Sequence, residues 1–445
     1  MAVFGLLTVS ATPVLSRWTD LGTVLATSLA ITCCCVMSFY YNDLYDFRSV
    51  RSLDQFVPRL LKSLLLAFVF LTIFYAIVQP KNVTGEQFLL SLFLIATVIL
   101  CLRAVSYGVI SRRLFSEPVL ILGTGPLAQT IADELTAAPH LRCVVAGLVE
   151  VGDGRASDPG GSSATRYPVY GPMQDWQRTL AEVQPKRIVV ALTERRGRLP
   201  IRELLHSSVS GTIVEDGVEV FERLTGKLAI DSIVPSEVLY SKKYRKSRLL
   251  AWSARAFSFV VALGALLFLA PVFLLVAVAI KLDSGGPVLF VQPRLGLSNR
   301  PFRLLKFRTM HPGNKRTEWA QDNEDQITRA GAWLRKYRID ELPQFFNVLR
   351  GDMNLVGPRP HPVTNHRLFA ENISYYFLRS LVRPGITGWA QVRYGYANNL
   401  EEEREKVRYD LYYIKHLSLW LDIRILVDTV KIVLFGRRTS SGSHA

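Results

Sequence analysis

Before position 113 the apolar positions gather into three long runs, about Leu21 to Tyr41, Leu60 to Val78 and Phe88 to Ile110. Each is long enough to cross a bilayer as a helix. A shorter stretch, Met1 to Leu15, is interrupted by Pro13 and reads as a fourth span or a truncated one. From Pro118 the pattern changes to short buried-strand runs alternating with helical stretches. Val119 to Leu122 leads into Gly123-Thr124-Gly125-Pro126 and a helix over Ala128 to Ala138, then strands over Val144 to Glu150 and Arg187 to Leu192. That order predicts a Rossmann-like α/β domain over residues 114–240.

A further apolar segment, Ala256 to Ile280, carries no charge, and its length alone predicts a spanning helix. Its flanks argue otherwise. Lys242, Lys243, Arg245, Lys246, Arg248 and Arg255 precede it and Lys281 and Arg294 follow, so both ends read as cytoplasmic. Pro271 sits inside, where a missing backbone donor and a ring clash bend a helix. A re-entrant segment that breaks at Ala270-Pro271 satisfies all three observations; a straight span kinked at Pro271 is the alternative. Near the end of the chain, Leu419, Trp420, Ile423, Leu426, Val430 and Val433 recur at helical spacing opposite Arg424, Asp428 and Lys431. This amphipathic helix suits either the membrane interface or a core. The expected organisation is thus a transmembrane region over 1–113, the α/β domain over 114–240, and a C-terminal domain over 241–445 with its re-entrant helix at about 256–280.

The 445 residues carry 53 Lys and Arg against 37 Asp and Glu, a net charge of +16. With apolar segments present, this favours acidic lipid and phosphorylated substrates, and no nucleic-acid partner is expected. Of five cysteines, four lie in apolar segments, so no disulfide framework or Cys/His metal cluster is legible. Lys/Arg counts place the first loop (Arg48, Arg51, Arg59, Lys62) and everything after Arg112-Arg113 in the cytoplasm, as expected of a multi-pass membrane protein.

Asp340-Glu341 is the most informative pair. It lies within Arg335-Lys336-Tyr337-Arg338-Ile339-Asp340-Glu341-Leu342-Pro343-Gln344, with Arg350, Arg359 and Arg383 further on. Adjacent side chains on a helix point about 100° apart, so the two carboxylates are suited to different tasks. One can attack phosphorus or bind metal while the other positions a proton or its neighbour. Lys306-Phe307-Arg308 supplies cations after a strand-like run, and Gly357-Pro358-Arg359-Pro360 holds an arginine in a rigid turn suited to bidentate phosphate recognition. A hard metal ion such as Mg2+ would suit this donor chemistry.

Lys281 to Val288, Gln292 to Gly296, Lys306 to Met310, Asp340 to Gln344, Asn347 to Met353, Val356 to Pro360 and Pro384 to Val392 occur in that order. Together they strongly resemble the bacterial polyprenyl-phosphate glycosyl-1-phosphate transferases of the monotopic superfamily, over about Lys246 to Arg438. The N-terminal spans and Rossmann-like domain resemble the long form that initiates exopolysaccharide synthesis. The resemblance implies transfer of sugar-1-phosphate from a UDP-sugar to undecaprenyl phosphate with release of UMP. It also implies Asp340 as nucleophile and metal-associated carboxylate, Glu341 as its catalytic partner, Mg2+ as cofactor, and Lys306, Arg308 and Arg359 as phosphate contacts. A homo-oligomer is compatible with it. The sequence departs from the family at Ala270, where a serine is common before the proline, at Gln292-Pro293-Arg294, where Gln-Glu-Arg is usual, and at His311-Pro312, where an acid is frequent.

Gly123 and Gly125, between strand and helix, form a candidate nucleotide-binding turn or a purely structural one. A membrane-anchored nucleotide-sugar dehydratase is the alternative function, but the α/β domain has no tyrosine followed four residues later by lysine.

Overall fold

The computed structural model describes residues 21–44, 53–78, 97, 101, 116–138, 141–151, 166–171, 176–192, 199–233, 238, 240, 247–311, 326–395, 397 and 399–435. The chain divides into two compact units, Met1–Gly217 and Val218–Ala445. In the first, helix α1 (Leu21–Tyr41) occupies the first predicted span, and α2 (Leu53–Val78) begins seven residues before the second, with Pro58 in its second turn. Cys35, Phe39, Phe56 and Leu60 pack between them. The third predicted run lies almost wholly outside the described residues.

The first unit also contains a five-stranded parallel sheet built from β1 (Glu117–Leu122), β2 (Cys143–Val149), β3 (Val169–Tyr170), β4 (Arg187–Val190) and β5 (Ile213–Asp216). Its strand order is 3-2-1-4-5, so the winding reverses between β1 and β4. Continuous apolar runs form β1 and β4 because both faces are covered: Leu120, Ile121 and Leu122 are fully buried, as is Ile188. Helices α3 (Pro126–Ala137), α4 (Trp176–Val183) and α5 (Ile201–Val209) follow their strands. Gly123 lies at the end of β1 with φ +119°, and a Cβ there would approach the Ala191 carbonyl at 2.8 Å. Glycine is therefore required by the backbone alone.

The boundary expected near residue 240 divides differently in space. After α6 (Gly217–Thr225), Leu228, Ile230 and Ile233 are buried in the core of the second unit with Val407, Leu411 and Ile414.

The second unit opens with α7 (Arg248–Asp283), 36 residues long, which would span about 54 Å if straight. Helical geometry continues through Ala270 and Pro271, as it can in a helix that bends at its proline. A proline removes one hydrogen bond, which leaves the rest of the ladder intact. Exposed Val260, Leu267, Phe268, Leu274 and Leu275 give this helix a broad apolar face, and it is long and apolar enough to cross a membrane. Its other face is packed at both ends. Arg255 donates to the carbonyls of Val348 (Nη1, 2.5 Å), Leu349 (Nη2, 3.1 Å) and Met353 (Nη1, 3.1 Å). Twenty-eight residues on, an Asp283 carboxylate oxygen accepts from the Ala330 amide at 2.9 Å.

Strands β6 (Leu289–Leu295) and β7 (Pro301–Phe307) form an antiparallel ribbon, with α8 (Arg329–Lys336) and α9 (Gln344–Arg350) beyond it in sequence. Short strands β8 (Asn354–Val356) and β9 (Gly385–Thr387) pair in parallel. Helices α10 (His366–Asn372), α11 (Trp389–Arg393), α12 (Leu400–Lys415) and α13 (Leu419–Phe435) complete the unit. Helix α13 packs into the core through Ile425, which is fully buried, while Trp420 and Leu434 on its other side are exposed.

Candidate active site

Asp340 and Glu341 sit in a single 3-10 turn, Ile339–Glu341, entered through Arg338 in the left-handed region (φ 57°, ψ 20°). A non-glycine residue in that region is uncommon and marks a locally imposed geometry. In a 3-10 turn successive side chains diverge by about 120°, so the adjacent carboxylates face different surroundings. Both are buried.

Glu341 is surrounded by cations. Its Oε1 accepts from Arg359 Nη2 at 2.7 Å and from Lys306 Nζ at 3.1 Å, with Arg338 Nη1 at 3.8 Å. Lys306 comes from β7 and Arg359 from the loop after β8, so separate elements converge on one oxygen. Burial alone would raise the Glu341 pKa; Arg359, Lys306 and Arg338 overcome it and hold the carboxyl well below its ordinary range. Burial depresses the Lys306 pKa, and Glu341 opposes that effect.

Asp340 differs. It makes no hydrogen bond or ion pair among the described residues, and burial raises its pKa against the attraction of Lys306. One carboxylate is thus fixed as the counter-ion of a cationic cluster, and its neighbour is an unpartnered group of raised basicity.

The other residues marked in the sequence are distributed unevenly. Lys306 and Arg359 join the pair, whereas Arg308 serves the end of α7. Its Nη1 donates to the Gly285 carbonyl at 2.7 Å, and its Nη2 to the Ser284 carbonyl at 2.7 Å and hydroxyl at 2.9 Å. Gly286, at φ +111°, leaves room for it, because a Cβ there would collide with Arg308 Nη1. Ala270 and Pro271 lie within α7, and Gly123 and Gly125 belong to the first unit. Gly125 precedes Pro126 at the first position of α3, which removes one of the amide donors a helix N-terminus offers an anion.

Several charged residues not singled out in the sequence are buried together. Arg379, Glu403, Lys406 and Asp410 are all at most 9% exposed, beside His361 at 5%. Glu403, Lys406 and Asp410 recur at helical spacing in register with Val407, Leu411 and Ile414, so the polar members share the apolar face of α12. That spacing is the signal that could have revealed them.

An open cleft adjoins the carboxylate turn. Arg338 and Glu341 mark its polar end, and Leu342, Phe345, Ile386, Val392, Ile432 and Val433 supply apolar wall. The second unit therefore combines a buried, cation-flanked carboxylate pair with a long apolar helix packed at both ends onto one α/β domain.

Residues 249–436 match the bacterial sugar transferase family. The chain is 44% identical to a UDP-N-acetylgalactosamine-undecaprenyl-phosphate N-acetylgalactosaminephosphotransferase of Aeromonas hydrophila, over 49% of this chain and 51% of the relative. It is 39% identical to the UDP-glucose:undecaprenyl-phosphate glucose-1-phosphate transferase of Escherichia coli K12, over 52% of this chain and 50% of the relative. It is also 42% identical to the exopolysaccharide production protein PSS of Rhizobium leguminosarum bv. phaseoli, over 40% of this chain and 92% of that protein. The chain belongs to the bacterial sugar transferase family. It matches about half the length of the Aeromonas and Escherichia relatives.

Proposed function

We propose that this protein transfers a sugar-1-phosphate from a UDP-sugar to undecaprenyl phosphate through a phosphosugar bound covalently to Asp340, as the first membrane step of exopolysaccharide or lipid-linked glycan synthesis. The observation that carries this reading is the asymmetry of the carboxylate pair: Glu341 is held by Arg359 and Lys306 while Asp340 is buried without a partner. In the proposed reaction an Asp340 oxygen attacks the sugar-bearing phosphorus, the bond between the two phosphates breaks, and UMP leaves with the bridging oxygen. A phosphate oxygen of undecaprenyl phosphate then attacks the same phosphorus. The acyl phosphate bond breaks, and Asp340 is regenerated as a carboxylate. Glu341 fixes the side chains of Lys306 and Arg359 at the place where phosphate charge gathers.

The residues present fit Mg2+. Asp340 and the substrate's own phosphates offer hard oxygen donors of the kind that Mg2+ takes. Asp340 would hold it, and a bound Mg2+ would supply positive charge against the diphosphate. The names of the Aeromonas and Escherichia relatives support the donor and acceptor classes.

The proposed setting is the cytoplasmic face of a bacterial inner membrane, with α1 and α2 among several spans and α7 entering the bilayer and returning. Contacts at Arg255 and at Asp283, both with the same globular domain, support return to one face. The 3-2-1-4-5 strand order supports a Rossmann-like reading of the first unit's sheet.

The test is incubation of purified protein with labelled UDP-sugars, Mg2+ and undecaprenyl phosphate, followed by UMP release and labelled lipid. Wild type is expected to yield both, and Asp340→Asn neither. Normal lipid labelling by Asp340→Asn would overturn the nucleophile assignment, and no transfer by wild type with any UDP-sugar would overturn the function.

A further inference from the structure

Proline at 358 and 360 leaves Pro358-Arg359-Pro360 with one backbone N–H, so the segment that carries Arg359 has few donors with which to be held. Its carbonyls take that role. Arg379 Nη2 donates to the Arg359 carbonyl at 2.8 Å, and Arg294 Nη1 donates to the Pro360 carbonyl at 3.0 Å.

Each of these guanidinium groups is itself fixed. Arg379 is buried, with Nε 2.9 Å from Asp410 Oδ2 and Nη1 2.9 Å from His361 Nδ1. Burial and the Arg379 charge lower the His361 pKa to about 3, so its ring is neutral and can accept at Nδ1. On its far side His361 Nε2 lies 2.9 Å from Glu403 Oε1, and Glu403 in turn pairs with Lys406 at 3.1 Å. Arg294 is braced from the ribbon by Gln292, whose Oε1 accepts from Nη2 at 2.7 Å. Gln292 thus has a role that needs no acid at position 293.

We propose that Arg379 and Arg294 are positioning residues that hold the consecutive carbonyls of Arg359 and Pro360, and so keep the Arg359 side chain directed onto Glu341. Neither acts on substrate directly. The buried charges of α12 and the neutral Gln292 of β6 are the two anchors of this brace. Because lysine lacks the planar fork, Arg379→Lys keeps the charge but cannot serve Asp410 and the Arg359 carbonyl together. This inference rests on the transfer reading above, since transfer is its assay.

The experiment is a double-substitution cycle on the transfer rate with Arg359→Lys, Arg379→Lys and the combined variant, alongside thermal unfolding of each. Loss of a bracing partner typically costs about 10- to 100-fold in activity. The expected result is that Arg379→Lys loses rate on that scale and that the combined variant is scarcely slower than Arg359→Lys alone. Non-additivity of this kind is what acting through Arg359 means. Losses that multiply independently, or an Arg379→Lys enzyme with unchanged rate, overturn the inference while leaving the transferase reading in place. A wild type that transfers nothing defeats both. Should Arg379→Lys fail to fold, the same cycle with Arg294→Lys decides the matter, with the same coupling expected.

Discussion

Arg359 Nη2 donates to Glu341 Oε1 across 2.7 Å, while Asp340, one residue earlier, makes no hydrogen bond or ion pair among the described residues. Two carboxylates adjacent in sequence therefore have opposite electrostatic histories, and substitution should expose the difference.

Neutralising each carboxylate is expected to move stability in opposite directions. The Asp340 pKa is raised in the fold, so its stabilising contribution is complete below its unfolded value and lost as pH rises through the folded value; at neutral pH the ionised group is a burden. Glu341 has a lowered pKa, so its contribution is present above the unfolded value and lost as pH falls through the folded one. At pH 7, Asp340→Asn should raise the thermal midpoint by about 2 °C while abolishing transfer, and Glu341→Gln should lower it by about 4 °C or more. Calorimetry in detergent checks both.

Under the proposed mechanism, in which ionised Asp340 attacks, the rate of transfer should fall on the acid side at a pH above the ordinary aspartate value of about 3.9, because burial raises the Asp340 pKa. Lys306 is the strongest of the charges that counter that rise. Lys306→Met should therefore shift the acid limb further up in pH, as well as slow the reaction. A kcat profile from pH 4 to 9 measures the shift.

Arg308 and Gly286 should act on the fold before they act on phosphate. Gly286→Ala introduces a Cβ against Arg308 Nη1 at positive φ, and is expected to cost about 1–3 kcal/mol of stability. Arg308→Lys, which loses the fork over Ser284 and Gly285, should lower the unfolding midpoint with KM for the UDP-sugar little changed. A large rise in KM at unchanged stability would return Arg308 to the substrate.

Asn347 fastens α9 to the free edge of β7. Its Oδ1 accepts from the Leu305 amide at 3.0 Å, and its Nδ2 donates to the Arg303 carbonyl at 2.7 Å and to Asp352 at 3.1 Å. The side chain is fully buried, so Asn347→Ala strands backbone groups away from water and should destabilise by about 3 kcal/mol. Denaturant unfolding measures this.

Hydrophobic patterning was informative where an element buries a continuous face. It located α1, β1, β4 and α13 to within a few residues, because each has an apolar run that its surroundings require. It says less about how a proline is accommodated: Pro271 predicts a bend, and α7 keeps helical geometry through it. The domain limit also escaped it, because Leu228, Ile230 and Ile233 carry no mark of which core they will enter. At the site, Asp340, Glu341, Lys306 and Arg359 stood out as charges in apolar or proline-bounded settings. Arg308 stood out equally and was drawn elsewhere, since a sequence does not show which carbonyls await a guanidinium. Arg379 and Asp410 were hidden for the converse reason: on opposite elements, each looks like ordinary surface charge until the fold buries them against one another.

Lys306, Arg338 and Arg359 converge on Glu341, Arg335 and Arg294 lie within reach of the same cluster, and Asp340 adds a second negative charge, so positive charge is in local surplus. In a partly dehydrated recess that surplus forms a shallow well for any polyanion diffusing near the surface. Encounter with a nucleoside diphosphate would then be hastened in dilute buffer and slowed as ionic strength shortens the Debye length to about 8 Å at 0.15 M. Through that surplus, the cell's salt content becomes one of the quantities that set how often the carboxylate turn meets its ligand.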